Sequence, residues 1–237
     1  MKNTILFDLD GTVLPMDFDM FMKLYFYNMG EHFKSVIESD KIFKYIMEAT
    51  SVMIQTNNGD TNEKTFMNHF ASLIDGSIDE YRAMFDNYYE TTFENVKPST
   101  YVSEYMIKSI KLLKEKGYTI ALATNPLFPL KANHKRIAWA GLTPEDFDYI
   151  SSFEQNKYCK PHVEYYYEVL ESLGKKPEEC IMIGNDVFDD LPASKIGIET
   201  YLIKEHLLNK NNIQFNDEIL LDYEGFYQFA KKMKKII

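Results

Sequence analysis

A short apolar run that ends at two aspartates and a glycine stands at the start of the chain. Residues 4–12 read Thr-Ile-Leu-Phe-Asp-Leu-Asp-Gly-Thr. The run at 5–7 is typical of a strand buried on both faces, and Gly11 lets the backbone turn after Asp8 and Asp10. Carboxylates are costly to bury unless a partner compensates them, and open α/β sheets bind ligands at the carboxyl ends of strands. The position predicts a functional site, although a simple acidic turn has the same pattern.

Further strands alternate with helices along most of the chain. Strands are predicted at residues 119–123, 180–183 and 200–203, with a weaker one near 149–151. Helical patterns cover 103–116, 162–173 and 190–196, and each ends at a glycine, which tolerates the positive φ found after helix ends. Alternation of this kind predicts an α/β fold with a Rossmann-like parallel sheet flanked by helices.

One region interrupts the alternation. Between residues 17 and 93 no convincing strand occurs, while apolar residues recur at spacings of three and four. We therefore predict an inserted all-helical domain at 16–94 and a catalytic core formed by 1–15 and 95–237. The insertion is rich in Phe, Tyr and Met. Its aromatic residues are interpreted as the core of a helical bundle in preference to a substrate pocket.

Composition narrows the classes of partner. The formal net charge of −10 disfavours nucleic acid and anionic membranes as partners, but a small anionic substrate remains compatible with it. The chain has two cysteines and five scattered histidines, without the spacing of a zinc site or a disulfide framework. No signal peptide and no stretch of about 20 apolar residues is apparent, so we expect a cytoplasmic protein.

Polar residues follow two of the later strands, and a lysine precedes the helix predicted between these strands. Thr124 and Asn125 come after the strand at 119–123, and Gly184, Asn185 and Asp186 come after the strand at 180–183. Asp189 and Asp190 follow in the same loop. Lys160 lies between these two motifs in the sequence and precedes Pro161. Proline suits the first position of a helix, so Lys160 would be fixed at the helix start. Each signal is weak alone, but their order at the strand ends is specific.

The order Asp8 and Asp10, Thr124 and Asn125, Lys160, then the acidic loop at 184–190 resembles the four motifs of the haloacid dehalogenase-like superfamily. The resemblance covers roughly residues 1–15 and 95–205. The helical insertion is similar to the type-1 cap domain of that superfamily. The resemblance implies a hydrolase of the phosphatase branch.

The resemblance also implies a role for each residue. Asp8 would be the nucleophile that forms an aspartyl-phosphate, and Asp10 would protonate the leaving alkoxide and later deprotonate water. The phosphoryl oxygens would be held by Lys160, Thr124, Asn125 and the loop amides of Leu9 and Asp10. Mg²⁺ would be bound by the side chains of Asp8 and Asp186 and by the main-chain carbonyl of Asp10.

The acidic loop departs from the usual pattern. The family most often has an acid directly after the glycine, whereas this chain has Asn185 there and Asp186 one position later. An anionic ligand suits Mg²⁺ better, so Asp186 is the expected ligand and Asn185 the second candidate. Asp190 would orient Lys160 or a metal-bound water. The cation and Lys160 would together offset the charge of two carboxylates and a phosphate monoester.

We therefore predict a Mg²⁺-dependent phosphatase for a small phosphorylated metabolite. Asp10 argues against a dehalogenase, because a halide leaving group needs no proton. A phosphonatase would require a lysine of the insertion to form a Schiff base, and Lys23 is a loose candidate that is more simply a solvated helix residue. A phosphomutase shares the same core and insertion, and a binding protein that has lost catalysis is a less favoured possibility.

Overall fold

The structure, a computed structural model, describes residues 1–236. Within these residues the strands are β1 (Thr4–Phe7), β2 (Thr119–Leu122), β3 (Tyr149–Ile150), β4 (Cys180–Gly184), β5 (Glu199–Ile203) and β6 (Leu220–Leu221). They form one six-stranded sheet in the order β3-β2-β1-β4-β5-β6, and every pairing is parallel. The predicted Rossmann-like α/β fold is thus confirmed. No helix in the described part of the chain is long and apolar enough to span a bilayer.

Helices cover both faces of the sheet. They are α5 (Glu104–Glu115), α6 (Leu130–Trp139), α7 (Val163–Leu173) and α8 (Tyr223–Lys232). Leu6 belongs to the same buried cluster as Tyr166 and Val169 of α7, whereas Phe7 packs edge-on against Phe226 of α8, with ring centroids 5.7 Å apart. Both faces of β1 are therefore buried against helices, which explains why its sequence is continuously apolar.

Four helices separate β1 from α5, as the apolar spacing predicted. They are α1 (Phe18–Phe33), α2 (Ser39–Gln55), α3 (Asn62–Ala71) and α4 (Ile78–Glu90), and a 3-10 helix (Thr92–Ser99) follows them. The two connections to this insertion are hydrogen-bonded to each other. The amide of Asp17 donates to the carbonyl of Ser99 (2.9 Å), and the amide of Tyr101 donates to the carbonyl of Pro15 (3.0 Å). The insertion therefore leaves and rejoins the core at one place.

The aromatic residues of the insertion fall into two groups. Phe33, Phe70 and Tyr88 are fully buried and pack on other rings of the insertion, as expected for a bundle core. A second group, which includes Phe21 and Phe26, borders a cavity next to the sheet. The interpretation as a bundle core therefore describes the first group and misses the second.

Two helix predictions differ from the structure, one in where the helix begins and one in the type of helix. α7 begins at Val163 after an extended N-cap residue, His162, so Pro161 precedes the helix and is not its first residue. The segment predicted as a helix at 190–196 is a 3-10 helix (Leu191–Ile196). It contains Pro192, which has no amide proton to donate to a helical hydrogen bond.

Candidate active site

Asp8 lies directly after β1, at the centre of the sheet. Its amide donates to the carbonyl of Ile183 in β4 (2.8 Å), and its Oδ1 accepts from Nζ of Lys160 (2.9 Å). Burial raises the pKa of Asp8 to about 8, because the Lys160 ammonium offsets only part of the desolvation. The nearby charges of Asp190 and Asp10 contribute to this rise in pKa. A second positive charge near Asp8 would therefore favour its ionised form.

Lys160 bridges two carboxylates in the interior. Its side chain is fully buried, and Nζ lies 2.9 Å from Oδ1 of Asp8 and 2.6 Å from Oδ1 of Asp190. Burial alone would lower the pKa of Lys160, but Asp190 and Asp8 raise it well above its usual range. The ammonium is thus held charged and aimed at Asp8. The peptide bond between Lys160 and Pro161 is cis.

Asp190 is held by the loop that follows β4. Its Oδ2 accepts from the amides of Asn185 and Asp186, both at 2.9 Å. The last residue of β4, Gly184, makes this close approach possible, because a Cβ there would lie 2.1 Å from Oδ2 of Asp190. The glycine of this motif therefore creates the space that the carboxylate occupies.

Asn125 supports Lys160 from the end of β2. Its Oδ1 accepts from the amide of Lys160 (3.2 Å), and its Nδ2 donates to Oδ2 of Asp189 (3.0 Å). Burial raises the pKa of Asp189 to about 6. The neighbouring Thr124 is buried and lines the cavity, while its carbonyl accepts from the hydroxyl of Tyr165 (2.9 Å). Contact of Thr124 and Asn125 with a phosphoryl group stays a prediction.

The two candidate metal ligands of the acidic loop differ in what they already bind. Oδ1 of Asn185 accepts from the hydroxyl of Thr12 (2.9 Å), and its Nδ2 donates to the carbonyl of His206 (2.8 Å). Asp186 borders the cavity, and its Oδ1 accepts from the amide of Phe188 (2.8 Å). Burial raises the pKa of Asp186. Both residues border the cavity, but Asn185 joins three segments of chain, whereas Asp186 brings a carboxyl group to the cavity.

The loop after β1 carries Leu9 and Asp10. It is folded by the carbonyl of Leu9, which accepts from the amides of Thr12 (3.2 Å) and Leu14 (2.8 Å). The carboxylate of Asp10 accepts from the guanidinium of Arg136, and Asp10 borders the cavity beside Asp8.

Arg136 is a residue that the sequence interpretation missed. It lies on α6, is fully buried, and also donates to the side chain of Asn133. Its Cζ lies 4.2 Å from the ring centroid of Phe128. The composition did contain a hint that Arg136 has a special role. Only Arg82 and Arg136 are arginines among the 26 basic residues of the chain, so an arginine marks a position where the usual lysine was not used.

The carboxylates at the sheet edge suit a cation. The Lys160 ammonium contacts Asp8 and Asp190, while Asp186 and Asp189 stand in the same loop as Asp190, and burial raises the pKa of Asp8, Asp186 and Asp189. Within residues 1–236, no three side chains of Asp, Glu, His or Cys converge into a ready metal cage. A few carboxylates without a complete cage fit Mg²⁺, which is usually bound by one or two carboxylates together with water and substrate oxygens.

A cavity of about 420 Å³ opens above these residues. Its floor contains Asp8, Asp10, Thr124, Asn125 and Asp186, and its walls come mainly from the helical insertion. The volume is typical of small-molecule sites, which measure roughly 300–1,000 Å³. Lys23, the candidate for a Schiff base, is exposed on α1 and lies outside this cavity.

Comparisons with known proteins agree with this geometry. The family model for haloacid dehalogenase-like hydrolases matches residues 2–196. The pyrophosphatase PpaX of Bacillus mycoides (strain KBAB4) is 23% identical over 223 residues, which cover 93% of this chain and 92% of the relative.

Two solved structures share the fold over nearly all of both chains. A HAD phosphatase from Thermococcus onnurineus has a TM-score of 0.59 at 20% identity and covers 100% of each chain. The L-2-haloacid dehalogenase of Xanthobacter autotrophicus has a TM-score of 0.61 at 14% identity, covering 98% of this chain and 100% of its own. Since these two relatives differ in activity, the shared fold does not decide the reaction. The family match over most of the sequence shows that this chain is a hydrolase of the haloacid dehalogenase-like family.

Proposed function

We propose that the protein is a Mg²⁺-dependent phosphatase that hydrolyses a small phosphate monoester through an aspartyl-phosphate. The observation that carries this proposal is the fully buried Lys160, whose ammonium contacts Asp8 and Asp190, two residues that border the cavity. A dianionic ester needs such a charge to approach a carboxylate nucleophile. The names of the phosphatase relatives support the same reaction class.

In the first half of the reaction, an oxygen of Asp8 attacks phosphorus, and the bond from phosphorus to the leaving oxygen breaks. Asp10 gives its proton to that oxygen. In the second half, Asp10 removes a proton from water as the water oxygen attacks phosphorus, and the bond between Asp8 and phosphorus breaks. Lys160 stays paired with the developing negative charge, and the loop amides of Leu9 and Asp10 with Thr124 and Asn125 bind phosphoryl oxygens.

Asp8, Asp186 and the main-chain carbonyl of Asp10 would hold Mg²⁺, with Asp190 or Asn185 as further candidates. When bound, the ion would reduce the repulsion between the carboxylates and the phosphoryl oxygens. The excess of carboxylates over ammonium groups at the floor supports a cation there, and phosphatases of this family generally use a divalent metal.

We further propose that residues 16–94 act as a cap domain on a core of 1–15 and 95–237. The insertion walls the cavity, so it would exclude water during transfer and admit a small phosphorylated metabolite but no polymer. The buried free thiols of Cys159 and Cys180 support a reducing, cytoplasmic location.

Release of inorganic phosphate from p-nitrophenyl phosphate, with Mg²⁺ present, tests the reaction class. We expect Asp8→Asn to abolish turnover, and Asp40→Asn, a change at an exposed residue of α2, to leave it intact. Full activity of Asp8→Asn would show that the nucleophile is assigned wrongly. Release of halide from 2-haloacids, without phosphatase activity, would instead identify a dehalogenase.

A further inference from the structure

The walls of the cavity differ in chemistry from its floor. Above the carboxylates and Lys160, the cavity is bordered by Phe21 and Met22 of α1, Ile46 and Met47 of α2, and Phe66 of α3. Phe128, which follows β2, completes this side. The organic part of any substrate whose phosphoryl group reaches Asp8 must lie against these side chains. The apolar walls thus bear on substrate choice as directly as the floor does.

Several polar groups on the walls are already paired with neighbouring side chains, and Lys210, which also borders the cavity, lies 5.0 Å from the ring centroid of Phe18. The hydroxyls of Tyr25 and Tyr89 share a hydrogen bond of 2.8 Å. Arg82 forms an ion pair with Glu63. A sugar or polyol would have to break such pairs or leave its own hydroxyls unmatched, and each unmatched buried hydroxyl is costly.

The same reasoning applies to Asp86 and to charged substrates. Asp86, a further polar residue of the wall, is paired with Lys131 at 3.0 Å. A second phosphate, as in pyrophosphate, would place further negative charge against apolar side chains and near Asp86 and Glu154, and Lys210 on the border of the cavity would offset only part of that charge.

We propose that the natural substrate class is a phosphate monoester of a predominantly apolar alcohol, alkyl or aryl, in preference to pyrophosphate or a sugar phosphate. This inference rests on the proposed phosphatase function and adds the chemistry of the leaving group. The alcohol occupies the apolar walls while the phosphoryl group meets Asp8 and Lys160. Binding energy from the alcohol then comes from removing its apolar surface from water.

A series of methyl, propyl and pentyl phosphates tests the substrate class. Their alcohols have similar acidity, so differences in kcat/KM report the cavity and not the chemistry of the leaving group. We expect kcat/KM to rise about fourfold per added methylene, equivalent to about 0.8 kcal/mol, until the cavity is filled. Glycerol phosphate, of the same carbon number as propyl phosphate, should be the poorer substrate.

The results can contradict the substrate class and the phosphatase function separately. If methyl phosphate is hydrolysed but kcat/KM stays level or falls toward pentyl phosphate, or if pyrophosphate is the best substrate, the apolar-alcohol proposal is wrong. If no ester, including p-nitrophenyl phosphate, releases phosphate, the proposed phosphatase function is itself wrong.

A pair of methionine variants tests whether the preference for longer alkyl chains arises in the cavity. Met47 borders the cavity and is 43% exposed, whereas Met20 on α1 lies outside it and is 39% exposed. Met47→Gln adds an amide to the wall and should lower the ratio of kcat/KM for pentyl to methyl phosphate about fivefold. Met20→Gln should leave that ratio unchanged. An unchanged ratio for Met47→Gln, or an equal shift in both variants, would contradict the assignment of the wall.

Discussion

Arg136 donates to the carboxylate of Asp10 from beneath the cavity floor, so the proposed acid and base is held by a buried cation. Arg136 is fully buried, while the Asp10 side chain is 26% exposed. In this arrangement Asp10 is an acceptor, which is the state it needs before it takes a proton from water. To act as the acid it must carry a proton, and a protonated carboxyl is a weaker partner for a guanidinium. Proton transfer to Asp10 is therefore coupled to its pairing with Arg136.

Asp10→Asn should separate the two halves of the reaction. Nitrophenolate leaves readily without a proton, so phosphoryl transfer to Asp8 continues, whereas hydrolysis of the aspartyl-phosphate loses its base and slows about 10²- to 10⁴-fold. Stopped-flow measurement with p-nitrophenyl phosphate should show a burst of one nitrophenolate per active site. Asp40→Asn should show the wild-type time course. Linear release at the wild-type rate from Asp10→Asn would contradict the role of Asp10.

Arg136→Met should lower the free energy of unfolding by about 3 kcal/mol, because it leaves a partly buried carboxylate without its partner. The value is at the low end for buried pairs, since Asp10 keeps some contact with water. The second arginine of the chain provides the control. Arg82 pairs with Glu63 on the wall of the open cavity, where its side chain is 42% exposed to solvent, so Arg82→Met should cost at most about 1 kcal/mol. Urea denaturation measures both.

A double-mutant cycle tests whether Arg136 acts through Asp10. The loss in the double variant Asp10→Asn/Arg136→Met should be smaller than the sum of the two single losses by at least about 1 kcal/mol. Additive losses would mean that Arg136 stabilises the fold through Asn133 and Phe128, and not through the carboxylate.

The central strands could be predicted because they are buried on both faces. A continuous apolar run such as the one in β1, bounded by turn residues, is typical of a strand in the middle of a parallel sheet. The edge strand β6 was missed, because it is two half-buried residues long and makes no pattern. The helix α6 was missed because it buries Asn133 and Arg136 together with apolar residues, which obscures the apolar stripe.

Apart from Lys160, the candidate site could be predicted only where residues follow strands. Asp8, Asn125 and Asp190 come after β1, β2 and β4, and a parallel sheet brings these ends together. Arg136 reaches Asp10 from a helix 126 positions along the chain, so no local spacing reports the contact. The same limit applies to the cavity, whose walls combine all four helices of the insertion.

Gly184→Ala should inactivate the enzyme without altering a charged residue. The new Cβ would overlap the Asp190 carboxylate, so Asp190 must move away from Lys160 and from the loop amides that it holds. We expect a loss of about 1–3 kcal/mol in stability, typical of overpacking, and a large fall in kcat.

The control for this variant is Gly174→Ala at the end of α7. Gly174 has a φ of 63°, and a Cβ there meets open space, so the cost is backbone strain of about 1–2 kcal/mol far from the site. Similar destabilisation with retained activity would show that the effect of Gly184→Ala comes from Asp190. Equal loss of activity in both variants would mean that stability alone explains it.

Removal of divalent metal should abolish phosphate release, and added Mg²⁺ should raise the melting temperature. At a concentration about 100 times its Kd, a bound ion adds about 2.7 kcal/mol to the stability. Asp186→Asn should lose most of this increase, because it removes the negative charge at the cavity while the amide oxygen can still accept from Phe188.

Asn185→Ala should give the opposite pattern. It removes the hydrogen bonds to Thr12 and to the carbonyl of His206, so the metal-free protein should be less stable by about 1–3 kcal/mol. The increase with Mg²⁺ should nevertheless remain, because this side chain links segments of chain and Asp186 supplies the charge. Differential scanning fluorimetry with and without Mg²⁺ measures both variants. If Asn185→Ala loses the Mg²⁺-dependent increase and Asp186→Asn keeps it, the ligand assignment must be exchanged.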